Sequence, residues 1–348
     1  MEKRRLGRTE LEVPALCLGT MMYGDQISGD DAVLQMDACF DRGINFLDTA
    51  EMYTVPPKPE TQGESERIVG RWLAARKNRD KIILATKVAG RSPAAYMRPE
   101  GGETRLTPDQ IRFAIERSLK NLQTDYVDLY QLHWPDRPVQ LFGAARAGYV
   151  YSGEKGVPIE ETLGALGDLV KEGKVRHVGL SNETPYGVMR FLAAAKELDL
   201  PRVVSIQNAY NFLNRTFETG LAEIAMEEQV GLLAYSPIAQ GVLTGKYLDG
   251  KNPAGSRKAL FDRVQRYETP GADEAVRGYV ALAEKFGVDP AAFAMAFVTS
   301  RPFVTSNIFG ARTLDQLETI FASLNVEWTQ DMENAVNELH GRKQNPCP

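Results

Sequence analysis

The chain is poor in the residues that build metal sites and covalent cross-links. It has three histidines (His133, His177 and His340) and three cysteines (Cys17, Cys39 and Cys347) in 348 residues. The cysteines are odd in number, widely spaced and form no CxxC, which excludes a disulfide scaffold. Cys17 and Cys39 lie in apolar stretches (PALCLG, MDACF) and read as buried thiols of a reducing compartment. The histidines form no HExxH and no Cys/His cluster, so no metal centre is expected. Basic residues are not in surplus: 41 Lys plus Arg against 46 Asp plus Glu leave a net charge of −5, which argues against a nucleic-acid partner. No apolar run approaches the roughly 20 residues that span a bilayer. The N-terminal MEKRRLGRTELEV has basic residues with no apolar run behind them, so it is not a signal peptide. The expectation is a cytoplasmic protein with no membrane partner.

Linkers and nucleotide signatures are missing as well. No Gly/Ser tract divides the chain, and neither GxGxxG nor GxxxxGK[ST] follows any strand-like run. What is present is a repeat of short apolar runs alternating with helical segments. Eight runs stand out, at 14–19, 44–49, 81–87, 126–133, 175–181, 203–207, 230–236 and 303–310. They are nearly continuous in apolar character, as strands are when helices cover both faces of a parallel sheet. Thr107-Pro108-Asp109-Gln110 reads as an N-cap, a first-turn proline and a capping-box partner. Ile111, Ala114, Ile115, Ser118, Leu119 and Leu122 then share one helical face. Asp289-Pro290 opens a helix in the same way, and Thr313 with Gln316 repeats the box.

A length near 350 residues admits two domains of about 150, but eight strand–helix units point to one α/β domain, a TIM (β/α)8 barrel over residues 1–348. Residues 1–13 form a lead-in, 325–340 an extra helix, and Gly341 to Pro348 a loose tail. Long segments at about 90–106, 136–158 and 245–270 follow strands and belong at the C-terminal mouth, where substrate loops sit in such barrels.

Polar residues gather where the apolar runs stop: Asp48, Lys87, His133, Ser181 with Asn182, Gln207, and Tyr235 with Ser236, while Tyr53 follows Asp48 by five residues. Singly, each has a structural reading as a cap, a snorkelling stem or a hydrogen-bonded rim residue. Together they could form a carbonyl-polarising site. A lysine beside a tyrosine favours the phenolate, an aspartate holds the lysine, and a histidine donates a second hydrogen bond to the same oxygen. Such a site has an acid but no nucleophile, so it needs a partner that delivers a hydride or an electron pair. One other chemistry fits the pattern, a Schiff-base lyase with Lys87 as nucleophile, whereas a glycosidase lacks a second strand-end carboxylate to face Asp48, since Glu51 and Glu64 lie nearby in loop or helical contexts.

The chain resembles the aldo-keto reductases, in particular their bacterial Tas-like branch, through FLDTAEMY (46–53), GESERIVGRWL (63–73), ATK (85–87), SLKNLQTDYVDLYQLHWP (118–135), KVRHVGLSNE (174–183) and QNAYNFLNR (207–215). That resemblance implies a barrel binding NADPH, in preference to NADH, without a Rossmann unit. It implies a catalytic tetrad of Asp48, Tyr53, Lys87 and His133, with Tyr53 as general acid. Ser181, Asn182 and Gln207 would hold the nicotinamide carboxamide, and Tyr235 would stack on its ring. Ser236, Pro237, Ile238, Gly241, Leu243, Gly245 and Lys246 would line the pyrophosphate path. Phe309, Gly310, Ala311, Arg312 and Gln316 would hold the adenosine end, with Arg312 suited to a 2′-phosphate. Ile320 stands where relatives usually have Asn. The substrate wall is expected from Tyr23, Trp134, Tyr149 and Tyr151, beside a proline-stiffened loop from Thr54 to Gly63, and favours apolar or aromatic carbonyls. The same resemblance implies an alternative, a nicotinamide-binding regulator like the potassium-channel β subunits.

Overall fold

Eight parallel strands close into a barrel in the computed structural model, which describes residues 1–143, 148–262 and 264–348. A hairpin of β1 (Lys3–Arg5) and β2 (Glu12–Pro14) precedes it. The staves are β3 (Leu16–Gly19), β4 (Phe46–Asp48), β5 (Ile83–Val88), β6 (Val127–Leu132), β7 (Val175–Ser181), β8 (Val203–Ala209), β9 (Gly231–Tyr235) and β10 (Val304–Phe309), with β10 closing on β3. Each of the eight apolar runs supplies one stave, and the ends agree within two residues. Helices α1 (Gly29–Asp41), α2 (Glu64–Arg76), α3 (Pro108–Leu122), α4 (Ile159–Lys171), α5 (Pro185–Glu197) and α6 (Ala222–Glu227) follow β3 to β8 in turn. Between β9 and β10 lie α7 (Arg257–Phe261), α8 (Ala272–Lys285) and α9 (Pro290–Thr299); α10 (Leu314–Ala322) and α11 (Gln330–Arg342) complete the chain.

The unbroken apolar character of the strands follows from two separate cores. Leu16, Leu18, Leu47, Leu84, Tyr130, Leu132, Leu232 and Ala234 point outward into the layer packed against the helices. Their alternating neighbours Cys17, Phe46, Ile83, Ala85, Leu129 and Leu233 point inward, joined by Ile308. Leu6 and Val13 of the leading hairpin pack onto this inner cluster and plug its N-terminal end. Because side chains alternate along a strand, Lys87 continues the inward row of Ile83 and Ala85, and Gln131 that of Leu129. The barrel therefore stays apolar below and turns polar where its strands end.

Helix starts follow the sequence signals with one difference. Thr107 and Thr313 accept hydrogen bonds from Gln110 N and Gln316 N, and Asp289 from Ala291 N and Ala292 N. The reciprocal half of each capping box is redirected. Gln110 Oε1 accepts from Arg105 N at 2.7 Å and Gln316 Oε1 from Arg312 N at 2.8 Å, both upstream of the cap. The six residues assigned to the inner face of α3 are its buried residues.

The C-terminal tail departs from the expected loose segment. Asn345 Oδ1 accepts from Arg215 N at 2.6 Å, Pro346 O accepts from the Thr269 hydroxyl at 2.6 Å, and Cys347 N–H donates to Leu213 O at 3.0 Å. The tail thus pairs backbone groups of the loop after β8 that would otherwise be unsatisfied. None of the three cysteines forms a disulfide, and all three are buried. The mouth segments 136–158 and 245–270 extend in part outside the described residues, at 144–147 and 263. Among the described residues no helix is long and apolar enough to cross a membrane.

Candidate active site

The strand ends open onto a cavity of about 1110 Å3 at the C-terminal mouth. Lys87, on β5, is fully buried beneath its floor, and its ammonium donates three hydrogen bonds: to Asp48 Oδ2 at 2.6 Å, Thr49 O at 2.8 Å and the Tyr53 hydroxyl at 3.1 Å. Register brings these groups together, since Asp48 ends β4 beside Ala85 and Lys87 lies opposite Gln131 of β6. The second Asp48 oxygen accepts from Gln131 Nε2 at 3.0 Å and Gln207 Nε2 at 2.9 Å. Gln131 lies inside an apolar run and not at its end, and its inward position in β6 is what reveals it. The His133 ring meets Tyr53 edge-on at 5.5 Å between centroids.

Burial sets the charge states. It pushes the Tyr53 hydroxyl above the ordinary tyrosine value, with Lys87 pulling the other way and losing. The hydroxyl is therefore protonated at neutral pH, and Lys87 favours the phenolate as expected of a neighbouring ammonium. For Lys87, burial is the largest single influence and pulls downward, but Asp48 and Tyr53 together hold the ammonium above the ordinary lysine range. Burial, with Lys87 assisting, drives His133 well below 6.5, so its imidazole is neutral. Its Nδ1 is buried without a partner, which leaves Nε2 as the nitrogen facing the open cavity. A proton on Nε2 gives the cavity a donor and avoids an orphaned buried N–H.

From this end the cavity runs past Asn182, Gln207, Tyr235, Ser236, Pro237, Ile238, Gly241 and Lys246 to Phe309, Gly310, Arg312, Gln316 and Ile320. Ser181 lies just beneath, its hydroxyl donating to Gln207 O at 2.8 Å, and the Tyr235 hydroxyl donates to Asn182 Oδ1 at 2.7 Å. Leu243 and Ala311 are buried behind the lining, and Gly245 caps the turn after them. Gly241 adopts φ +89, where a Cβ would stand 2.8 Å from Lys246 Nζ, so the backbone and the ammonium can share one space. Arg312 donates to Gly255 O, and its Nε is buried without a partner. Thr313 caps α10 beside it, which adds helix N-terminal dipole. An elongated cavity with an amide-rich polar end and cationic donors at the other fits an anionic dinucleotide. Among the described residues no three metal-ligating side chains converge.

The substrate side differs from the sequence-based wall. Trp134 lines the cavity, packed on His133 at 4.8 Å. Tyr23 does not: it is buried in the outer core, donating to Gln35 Oε1 at 3.2 Å. Tyr149 and Tyr151 are about 80% exposed and line neither this cavity nor its neighbour, because their loop runs over the surface. The wall is formed instead by Met21, Met22, Met52, Val55, Pro57, Trp134 and Phe142. Val55 and Pro57 come from the Thr54–Gly63 loop, held down by Val55 N to Met21 O at 3.0 Å and a Lys58–Asp25 ion pair at 2.7 Å. Methionines scattered through loops carry no spacing signal, which is why they escaped the sequence reading.

Geometry also removes two alternatives. Lys87 is enclosed, with all three N–H groups engaged, so it cannot attack a carbonyl in the cavity. Glu51 is locked bidentately to Arg98 at 2.9 Å, both side chains fully buried, and Glu64 pairs outward with Arg67 and Arg71. Neither faces Asp48 across a substrate. His177 is half-buried in β7 and His340 half-buried in α11, both away from the cavity.

The Aldo/keto reductase family model matches residues 15–340. Protein tas of Escherichia coli is 47% identical over the full length of both chains. An aldo-keto reductase of Babesia bovis is 38% identical, covering 76% of this chain and 98% of its own. A relative from Arabidopsis thaliana named "Probable voltage-gated potassium channel subunit beta" is 30% identical, over 94% of this chain and 92% of its own. The chain belongs to the aldo/keto reductase family. It is therefore an oxidoreductase of carbonyl and alcohol groups that works with a nicotinamide cofactor, NAD(P)H.

Proposed function

We propose that the protein reduces aldehydes or ketones to alcohols with NADPH, and that Tyr53 supplies the proton. The observation that carries this reading is the buried chain Asp48–Lys87–Tyr53, whose outer end stands beside His133 at the cavity. A nicotinamide bound along the cavity would supply the hydride to the carbonyl carbon. The Tyr53 hydroxyl donates to the carbonyl oxygen and releases its proton there as negative charge grows. Lys87, 3.1 Å away, stabilises the phenolate left behind, and Asp48 balances the ammonium. Neutral His133 donates a second hydrogen bond from Nε2 and fixes the carbonyl's orientation. In the reverse direction the same groups accept the proton of an alcohol.

NADPH is favoured over NADH on the strength of Arg312. Its unpartnered Nε and the adjoining start of α10 offer a fork and a positive dipole to a 2′-phosphate. Ser181, Asn182 and Gln207 suit the carboxamide, although their polar groups are engaged with one another and with Asp48, so binding must exchange some of these bonds. The regulatory alternative, prompted by the channel-subunit relative, would use the cavity without needing a complete proton path.

Tyr53→Phe tests the proposal. Turnover should fall about 10²- to 10⁴-fold, with NADPH Kd unchanged by fluorescence titration. Retained turnover would count against Tyr53 as the acid. A wild-type protein that binds NADPH tightly yet reduces nothing in a broad aldehyde, ketone and quinone panel would favour the regulator.

A further inference from the structure

Among the described residues four cations line the cavity, and three of them lie toward the pyrophosphate and adenosine end of the dinucleotide's path. Lys246 shares space with the Gly241 turn, while Arg257 and Arg312 flank Gly255 at the far arm. Arg266 lies elsewhere. Its guanidinium carbon stands 5.3 Å from the Phe142 ring centroid and 6.0 Å from that of Tyr235. Phe142 packs edge-on against Trp134 at 6.3 Å, and Trp134 packs against His133. The guanidinium is thus two rings away from the imidazole that faces the reacting carbonyl, on the side of the substrate wall.

Arg266 is half-buried, yet no carboxylate among the described residues pairs with it. Asp262, in the same loop and lining the same cavity, forms no ion pair with it. Aromatic faces compensate a half-buried guanidinium only partly. A planar fork with free donors is matched to a carboxylate, which would complete its bonding bidentately. The remaining wall, Met21, Met52, Val55, Pro57 and Trp134, offers apolar surface and no other cation.

We propose that Arg266 docks an anionic substituent of the substrate, so that the preferred substrates are carbonyl compounds with an apolar body and a carboxylate remote from the reacting carbon. This rests on the carbonyl-reductase reading above and names its substrate class. Arg266 acts in recognition and takes no part in the proton or hydride transfer.

The test compares 4-carboxybenzaldehyde with its methyl ester in wild type, Arg266→Met and Arg266→Lys at saturating NADPH. Wild type should prefer the acid. In Arg266→Met the KM for the acid should rise about 10- to 100-fold, with kcat little changed and the ester unaffected, and Arg266→Lys should recover part of the loss. Equal effects on acid and ester would overturn the proposal. So would a raised NADPH Kd with an unchanged acid-to-ester ratio, which would assign Arg266 to the cofactor. Calorimetry of 4-(hydroxymethyl)benzoate binding to NADPH-loaded protein reads the same contact without turnover. Weaker binding in Arg266→Met supports the docking role, and equal binding refutes it. If neither aldehyde reacts but this binding difference persists, the reductase reading fails and the anion site stands.

Discussion

The two ends of the cavity are built on different principles. At the chemical end, Asp48, Lys87, Gln131 and Gln207 project from four strands, and each polar atom of Asp48 and Lys87 is engaged within 3.1 Å. Strand register fixes these side chains, and low local polarity strengthens every bond among them. At the adenosine end, Lys246, Arg257 and Arg312 come from loops, a short helix and the approach to α10, and Arg312 Nε and Gln240 Oε1 are buried without partners. At one end the hydrogen bonds close within the protein. The other presents cations to an anion. Proton transfer depends on tenths of an ångström, whereas holding a phosphate depends mainly on charge and reach.

Four experiments would sharpen or break that contrast. The largest effect belongs to Tyr53→Phe, which should abolish most turnover and leave the adenosine end untouched. Next, Arg98→Met strands the buried Glu51 carboxylate behind the site and should lower unfolding free energy by about 3–5 kcal/mol, measured by urea denaturation. A loss below about 1 kcal/mol would mean that the pair behaves like a surface bridge. Arg312→Ala should weaken NADPH about 10- to 100-fold and NADH about twofold at most, with kcat unchanged. Equal weakening of both would remove the 2′-phosphate from the account.

The smallest expected effect is a flat pH profile. Tyr53 must be protonated to reduce a carbonyl, and burial raises its pKa, so the active form persists below the ordinary tyrosine value of about 10. His133 must be neutral, and burial lowers its pKa, so the active form also persists above the ordinary value of 6.5. Reduction kcat/KM should therefore vary little between about pH 7 and 9. A limb centred near 6.5 would show a solvated His133, and an alkaline limb below 9 would show that Lys87 outweighs burial.

Much of the chemical end was legible because each of its residues closes an apolar run. Asp48, Lys87, His133 and Gln207 stand out by contrast with what precedes them. Gln131 did not, being one polar residue inside YVDLYQLH, where strand alternation alone cannot say which face is inward. Tyr23, Tyr149 and Tyr151 were attractive as aromatics, but aromatic character does not distinguish a core ring or a surface loop from a cavity wall. The Glu51–Arg98 lock joins residues 47 positions apart and has no local signature. Arg266 lies in the 245–270 mouth segment with no sequence signal of its own, and only the packed structure shows that no carboxylate among the described residues pairs with it.

The sequence by itself determined the barrel: eight doubly covered strands leave eight continuous apolar runs, and capping residues mark where several helices begin. It also identified the polar groups of the chemistry, because a charge at the end of a buried strand is costly unless it is paired. Only the tertiary structure decided their states and partners. Burial outweighs the lysine at Tyr53, a second glutamine braces Asp48, the tail is pinned, and one arginine faces the substrate wall without an anion. Those outcomes depend on desolvation and on contacts between distant segments, which local sequence pattern does not encode.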